Sequence, residues 1–586
     1  MFPPDTPRFS DATLPSVCSC RRVAHRRQGG ILIRLLAAIG VIAILAVIAA
    51  WVWAERLQVK AGAPHTAPSS TVHSNEGVLH GTDFASSAKP ESRSRSSDPR
   101  RMVAAVYMGG QPPIIFPKDL PSKQNGRIGR PVPTQVLQGD LSTSACAQID
   151  SAKAAGIDAF AIWMHPRMGN SPTAQSYQVR EWLELEALFA EMKKTGGFSF
   201  YPDYWWYRMD PVNWGNTEKS WKRDPDPGVE AEMRDHGKLL QSWAERFGDV
   251  WAKKDGRLVV GMQDHALFAN VPYAKAMEWL FSPLGGRDKV YLVLSRYPTH
   301  GTIAADWLAG ADAICDWDAN RTYGDSLHVL KAGKAFAQAQ GKAWWPSFAP
   351  SFFQSRTGDS TAPISPLVYE RLGIIAYRRA WLDAILGDVP TVYLITWNDV
   401  SEDSEIMPTD LHREAHQRLT RFFSSWYKTG TQPAIQQEEL LLFHHPQVVS
   451  GLQLPPGRLP TVGPEGGLTP PTDYIAICSF LKTPAEVSVV FQKEVVATKK
   501  LPAGFQTWLL YNPAVPTPGA SAPIYPAEEE GLIVTVLNKP FKDMEVLLQV
   551  TRDGVDMGRF FSHHPIVDAA GRADLGTVGN VFSLTH

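Results

Sequence analysis

The sequence predicts an α/β chain: a (β/α)8 TIM barrel with a C-terminal β-sandwich-like domain and an N-terminal transmembrane helix. Three observations carry this. Between residues 101 and 430 short apolar runs alternate with helical patterns for about eight rounds, as a β/α barrel requires. After Gly430 the texture changes to short β-rich runs separated by turn residues. Near the N-terminus, Arg21, Arg22, Arg26 and Arg27 precede Ile31–Trp53, a run that is apolar except for Arg34.

That run has the length of a bilayer crossing, roughly twenty residues. Basic residues before it and few after it place the N-terminus inside, and Arg34 lies near the inner end, where it can snorkel. The expectation is an uncleaved anchor, because the run exceeds the core of a usual secretory signal; a cleaved signal ending near Trp53-Ala54 is the alternative. Both place residues 54–586 outside the cytoplasm, periplasmic or extracellular. Residues 1–30 read as a basic cytoplasmic segment and 54–100 as a flexible linker, with Ala61–Arg100 rich in Ser, Pro, His and basic residues and without an apolar period.

The barrel, residues 101–430, then runs in order. Strands are expected at Met102–Met108, Ala159–Trp163, Phe198–Tyr201, Leu258–Met262, Val290–Leu294, Ala313–Cys315, Ala343–Trp345 and across Tyr393–Thr396. Helices are expected at Ala145–Ala155, stopped by Gly156, and at Glu181–Lys194, where Leu185, Leu188, Phe189 and Met192 recur at helical spacing. Others follow at Glu230–Phe247, Pro272–Phe281 and Leu327–Gln340, then from the Ser365-Pro366 cap to Leu386, and at Leu411–Tyr427. Gly109–Leu137 and Asn213–Gly228 read as long loops. Residues 431–586 form the β-rich accessory domain. Its strands are expected at Tyr474–Leu481, Glu486–Phe491, Thr507–Tyr511, Gly531–Leu537 and Met544–Thr551, after an irregular Gln432–Thr472.

Net charge is −1 and 20% of residues are charged, so no global field points to nucleic acid. The five cysteines have neither metal spacing nor a paired framework, and no cofactor or metal is implied. Nineteen tryptophans are many; a Trp-rich core accounts for most, while sugar rings with apolar faces and polar rims suit the remainder.

Barrel chemistry belongs at the C-terminal ends of the strands, and polar or aromatic clusters follow nearly every expected strand. The last strand leads into Trp397-Asn398-Asp399-Val400-Ser401-Glu402-Asp403-Ser404-Glu405. Asp399 and Glu402 leave one strand end three residues apart, so one pocket can hold both. Two carboxylates in a cleft disfavour double ionisation, leaving one as acid and one as base, the division that glycosidic cleavage uses. The plain alternative is a helix cap with solvated loop charge. Other candidates on this face are His165, Asp203, Asp264, Arg296 and Asp316 as subsite groups. Tyr204, Trp205, Trp206 and Trp317 are candidate stacking platforms, and Trp397 and Asn398 flank the acid pair.

Three blocks give the chain a family likeness: Gly156-Ile157-Asp158-Ala159-Phe160, Lys254-Asp255-Gly256-Arg257-Leu258-Val259-Val260, and Ile395-Thr396-Trp397-Asn398-Asp399-x-x-Glu402. They resemble glycoside hydrolase family 71, the α-1,3-glucanases (mutanases), over roughly Met102–Tyr427. The family pattern in the last block is Trp-Asn-Asp-Tyr-Gly-Glu-Ser; this chain has Val400-Ser401 in the middle and Asp403 after. The related family 99 endo-α-mannosidases carry two acids at the same spacing but begin with Glu. The resemblance implies an endo-acting barrel enzyme that hydrolyses an α-glucan polysaccharide or oligosaccharide with inversion, using Asp399 and Glu402 as acid/base carboxylates. It adds Asp158 as a further catalytic candidate, although the expected topology puts it at the start of its strand. Endo-α-mannosidase action, or glycan binding without catalysis, are the rival expectations.

Overall fold

The computed structural model describes residues 101–109, 141–164, 172–204, 227–263, 271–296, 305–317, 323–354, 367–368, 372–400, 402–448, 472–513, 526, 528–537, 541, 545–566 and 577–584. All lie in the compact unit Gly81–His586. The expected membrane run Ile31–Trp53 lies outside them; among the described helices none is long and apolar enough to cross a membrane.

Eight β/α rounds are present. The strands are β1 (Met102–Met108), β2 (Ala159–Met164), β3 (Ser199–Tyr204), β4 (Arg257–Met262), β5 (Val290–Arg296), β6 (Ala313–Asp316), β7 (Ala343–Trp345 continuing as Ser347–Phe348) and β8 (Thr391–Leu394). The helices are α1 (Leu141–Ala154), α2 (Pro172–Thr195), α3 (Pro227–Phe247), α4 (Tyr273–Phe281), α5 (Ala305–Gly310), α6 (Tyr323–Ala339), α7 (Ile375–Leu386) and α8 (Ala415–Thr429). Each strand pairs in parallel with the next, and β1 pairs with β8. The ring closes through β7. Its first segment pairs with β6 and its second with β8, with only Pro346 between them. Proline has no N–H to give a ladder, and its carbonyl still accepts from Tyr393 N at 3.0 Å.

The strands are apolar on both faces because one face fills the barrel and the other meets the helices. β1, reading Met-Val-Ala-Ala-Val-Tyr-Met, is buried from Val103 onward. α8 shows the complementary pattern: Ala415, Leu419, Phe422, Phe423 and Tyr427 lie buried along one stripe. It stops where Gly430 takes a left-handed φ of 72° and returns its N–H to Trp426 O.

The C-terminal region is two antiparallel-rich sheets around their own core. β9 (Glu439–His444), β10 (Tyr474–Leu481), β13 (Gly504–Tyr511), β14 (Leu532–Val536) and β17 (Val578–Ser583) form one sheet; β11 (Ala485–Phe491), β12 (Glu494–Leu501), β15 (Val546–Arg552) and β16 (Val555–Phe561) form the other. Leu440, Ile475, Ile477, Val487, Val489, Trp508 and Leu548 fill the space between them. The opposite face of the first sheet joins the barrel's core: Phe422 of α8 meets Phe480 at 5.1 Å and Phe505 at 4.7 Å. Arg378 and Arg379 of α7 both engage Glu529, just before β14.

Several expected elements are corrected. The helix expected from Ser365-Pro366 begins only at Ile375, because Leu372 and Gly373 take left-handed φ values of 54° and 63° that a helix cannot contain. The last barrel helix begins at Ala415, since Arg413 sits at φ 49°. The tract read as irregular contains β9, and β12, β16 and β17 were not expected: β12 and β16 are exposed, charge-bearing hairpin partners with a weak apolar pattern.

Candidate active site

β8 carries its side chains to alternate faces. Tyr393 points to the barrel axis, since its hydroxyl donates to Asp203 Oδ2 on β3, three strands away round the ring. Beyond β8 the chain runs on beside β1, with Trp397 N donating to Val106 O at 2.7 Å. It then closes on itself. Thr396 N reaches Ser404 O at 2.9 Å, Met407 N reaches Trp397 O at 3.0 Å, and Asp399 N reaches Thr396 Oγ1 at 2.8 Å. Asp399 lies inside this closure and is 2% exposed; Glu402 is half-buried. Asp399 Oδ1 accepts from Glu402 N at 3.2 Å. This is a turn, not the helix cap with solvated charge of the plain alternative, since among the described residues no helix begins between β8 and Ala415 and Asp399 is buried; it puts both acids together at the C-terminal end of the barrel.

Asp203 is buried on the same end of the barrel. Gln263 Nε2 and Tyr393 Oη both donate to its Oδ2, and Gln263 Nε2 lies 2.6 Å from Tyr393 Oη. Burial pushes its carboxyl up to about 6, against the lowering effect of the Tyr393 and Gln263 hydrogen bonds. Gly261, opposite Asp203 on β4, makes the space: a Cβ there would stand 2.3 Å from Asp203 Oδ1. Trp317 lies between Trp163 (6.2 Å) and Tyr393 (6.4 Å), so three aromatic rings line the interior at the strand ends. Trp317 is nearly buried; Trp163, not among the expected site residues, is the more accessible ring.

Other expected site residues are placed elsewhere. Tyr204 follows Asp203 on β3 and so faces out, buried against His236 of α3 at 5.4 Å rather than lining a groove. Asp316 also faces out. Its Oδ2 occupies the space left by Gly333 of α6, where a Cβ would approach to 2.3 Å. Trp397 is fully buried, its ring 5.8 Å from Phe160 and its Nε1 donating to Gln148 of α1. Asn398 spends its amide on the β1 main chain, accepting from Met108 N at 2.8 Å and donating to Met108 O at 3.0 Å. All four side chains are buried in the barrel wall. Asp158 precedes β2 at the N-terminal end, opposite Asp399; it accepts from Val103 N at 2.9 Å and pairs with Lys428 Nζ at 2.6 Å. That corrects its catalytic candidacy, because parallel strands put their two ends at opposite mouths. Arg296 is the last residue of β5, in register with Asp316. His165, Trp205, Trp206 and Asp264 lie outside the described residues.

A second group of acids was not expected as a site. Asp403, Glu405 and His412 bring their ligating atoms within 4.8 Å of one another, all buried. Burial pushes Asp403 up to about 7, and burial with the Asp403 charge raises Glu405 well above the carboxylate range. Burial lowers His412 to about 3, so its ring is neutral. The signal in the sequence is Asp403-x-Glu405 followed by His412 and His416 four residues apart, with no Lys among them.

The fold is a (β/α)8 barrel with Asp399 and Glu402 on one turn at its C-terminal end and a β-sandwich docked on its flank. No protein-family profile and no curated protein sequence matches the chain. Among solved structures, the chain is similar to the GH99 endo-alpha-mannosidase from Bacteroides thetaiotaomicron at 12% identity, covering 56% of this chain and 97% of that one (TM-score 0.37). A glycoside hydrolase-like protein matches at 14% identity over 59% and 98% (TM-score 0.39). A Bacteroides uniformis beta-glucuronidase matches at 10% over 74% and 44% (TM-score 0.37).

Proposed function

We propose that the protein is a glycoside hydrolase acting on an α-linked glucan, with Asp399 and Glu402 as its acid/base pair. The observation that carries this reading is the shared turn: a buried Asp399 fastened to the main chain of a half-buried Glu402 at the mouth of the barrel. One carboxyl protonates the leaving glycosidic oxygen while the other removes a proton from the attacking water. Trp163 and Trp317 supply apolar faces for a sugar ring. The α-1,3 linkage, endo action and inversion rest on the family 71 resemblance of the Ile395–Glu402 block. Export rests on the Ile31–Trp53 run, which would anchor the barrel outside the cytoplasm.

The deciding experiment incubates the purified chain with α-1,3-glucan, α-1,4-glucan, α-1,6-glucan and α-mannan and measures new reducing ends. Release from α-1,3-glucan, with the inverted anomer seen first by NMR, is expected. Release from α-mannan alone replaces the glucan assignment. Glucan retention in a pull-down with no turnover on any of the four removes the catalytic reading. Cell fractionation of the full chain and of a variant lacking residues 1–53 checks the anchor: the full chain is expected in the membrane pellet, the shortened chain in the supernatant.

A further inference from the structure

We propose that Asp403, Glu405 and His412 bind one divalent transition-metal ion of the zinc class, in a structural site that joins the loop after β8 to the β-sandwich. His412 Nε2 lies 3.0 Å from Asp403 Oδ1 and 3.6 Å from Glu405 Oε1. Tetrahedral ligands held at about 2.0–2.2 Å from zinc stand roughly 3.3–3.6 Å apart. Both edges that meet at His412 are therefore close to that spacing, and all three atoms lie within 4.8 Å of one another.

Charge points the same way. The side chains of Glu405 and His412 are fully buried and that of Asp403 is 7% exposed. Among the described residues no Lys or Arg forms an ion pair with either acid; His412 is the partner of both. Two carboxylates withdrawn from water without a cation are costly, and a divalent ion offsets that cost directly. An independent observation is that Glu405 Oε2 is buried with no hydrogen-bond partner among the described residues, on a carboxylate already aimed at His412. A second metal–oxygen bond from the same carboxylate would satisfy it.

Hydrogen bonds orient the two carboxylates, while His412 Nδ1 is buried with no hydrogen-bond partner among the described residues. Thr409 Oγ1 donates to Glu405 Oε1 at 3.1 Å, and the main-chain N–H of Thr577 donates to Asp403 Oδ2 at 2.9 Å. His416 stacks on His412 at 4.0 Å and bonds the Glu405 carbonyl through Nδ1 at 3.0 Å. Thr577 immediately precedes β17 of the sandwich, and Asp403 immediately follows Glu402. An ion here ties the turn that carries the acid pair to the accessory domain. A nitrogen donor with two carboxylates favours zinc or manganese over calcium, which takes oxygen ligands.

The test uses the full chain, stripped with EDTA and then loaded in separate arms with Zn2+, Mn2+ or Ca2+. Bound metal is measured by elemental analysis after gel filtration and Tm by calorimetry, neither of which depends on glycosidase activity. One zinc or manganese per chain, and a Tm several degrees above that of the stripped protein, are expected. His412→Ala is expected to lose the ion, and Thr409→Val, which removes only a ligand-orienting hydroxyl, to weaken it by about tenfold or more. No retained metal with identical Tm in all arms, retention of calcium only, or undiminished zinc in a folded His412→Ala variant would each overturn the proposal. Because the readouts need only the wild-type protein, a variant that fails to fold leaves the comparison intact.

Discussion

Asp399 Oδ1 and the main-chain N–H of Glu402 are hydrogen-bonded at 3.2 Å, so the first acid fixes the turn from which the second projects. Structure and chemistry are separable here. Asparagine at 399 keeps an oxygen able to accept that bond but cannot carry or exchange a proton as a carboxyl does.

Asp399→Asn and Glu402→Gln are therefore expected to fold with nearly unchanged Tm and to lose about 10²–10⁴ in kcat/KM, the usual contribution of general acid–base catalysis. An aryl glucoside with a good leaving group should rescue whichever variant lacks the acid and not the one lacking the base. Wild-type rates in both would end the assignment.

Asp203 makes stability depend on pH. Its carboxyl is raised from the usual 3.8 to about 6 in the folded chain. Between those values the native state holds a proton that the unfolded state has released. The contribution of Asp203 to stability is thus fully present below pH 4, is lost as pH rises to 6, and is level above. Tyr393 and Gln263 face this carboxyl directly, and the buried Tyr201 and Cys315 feel its charge. Asp403, raised to about 7, and Glu405, also raised, add a decline of the same sign. Urea unfolding from pH 4 to 7 should therefore show a shallower fall in Asp203→Asn than in wild type; equal slopes would show that Asp203 does not titrate in this window.

Gly261→Ala puts a methyl 2.3 Å from Asp203 Oδ1 and 3.3 Å from its Cβ, so the whole side chain must shift. A loss of about 1–3 kcal/mol is expected from overpacking. Displacing Asp203 should also break its bonds to Tyr393 and Gln263 and lower activity. A variant as stable and active as wild type would show that the β3–β4 contact is slack.

Asn398→Ala leaves Met108 N and O without their side-chain partner at a buried position. Each orphaned group costs about 1–3 kcal/mol. Thermal unfolding should report a Tm drop larger than that of Glu402→Gln; an unchanged Tm would mean that this bridge does not hold the loop to β1.

Trp163→Ala is expected to raise KM for the glucan by about threefold to tenfold, the scale of one aromatic contact, with kcat less affected. Trp397→Phe, which loses the bond to Gln148 and part of a buried ring, should lower Tm and leave KM alone. The opposite pattern would exchange the roles of the two tryptophans.

The sequence by itself determined the barrel. Strands buried on both faces leave unbroken apolar runs, and helices resting on them leave 3.6-residue stripes, so β1 through β8 and most helices were legible. It also placed Asp399 and Glu402 at a strand end. Only the tertiary structure decided which neighbours share their space. Asp203 and Tyr204 are adjacent and equally polar-aromatic in the sequence, yet strand alternation sends one to the axis and the other to α3. Asn398 and Trp397 look like binding residues until β1 and α1 arrive to take their hydrogen bonds. Asp403, Glu405 and His412 read as loop charge because what converts them into a buried cluster is closure of the Thr396–Met407 turn and the approach of Thr577, more than 170 residues away. Periodicity records how each residue meets a generic core; burial and pairing depend on chain segments remote in sequence, which no local pattern encodes.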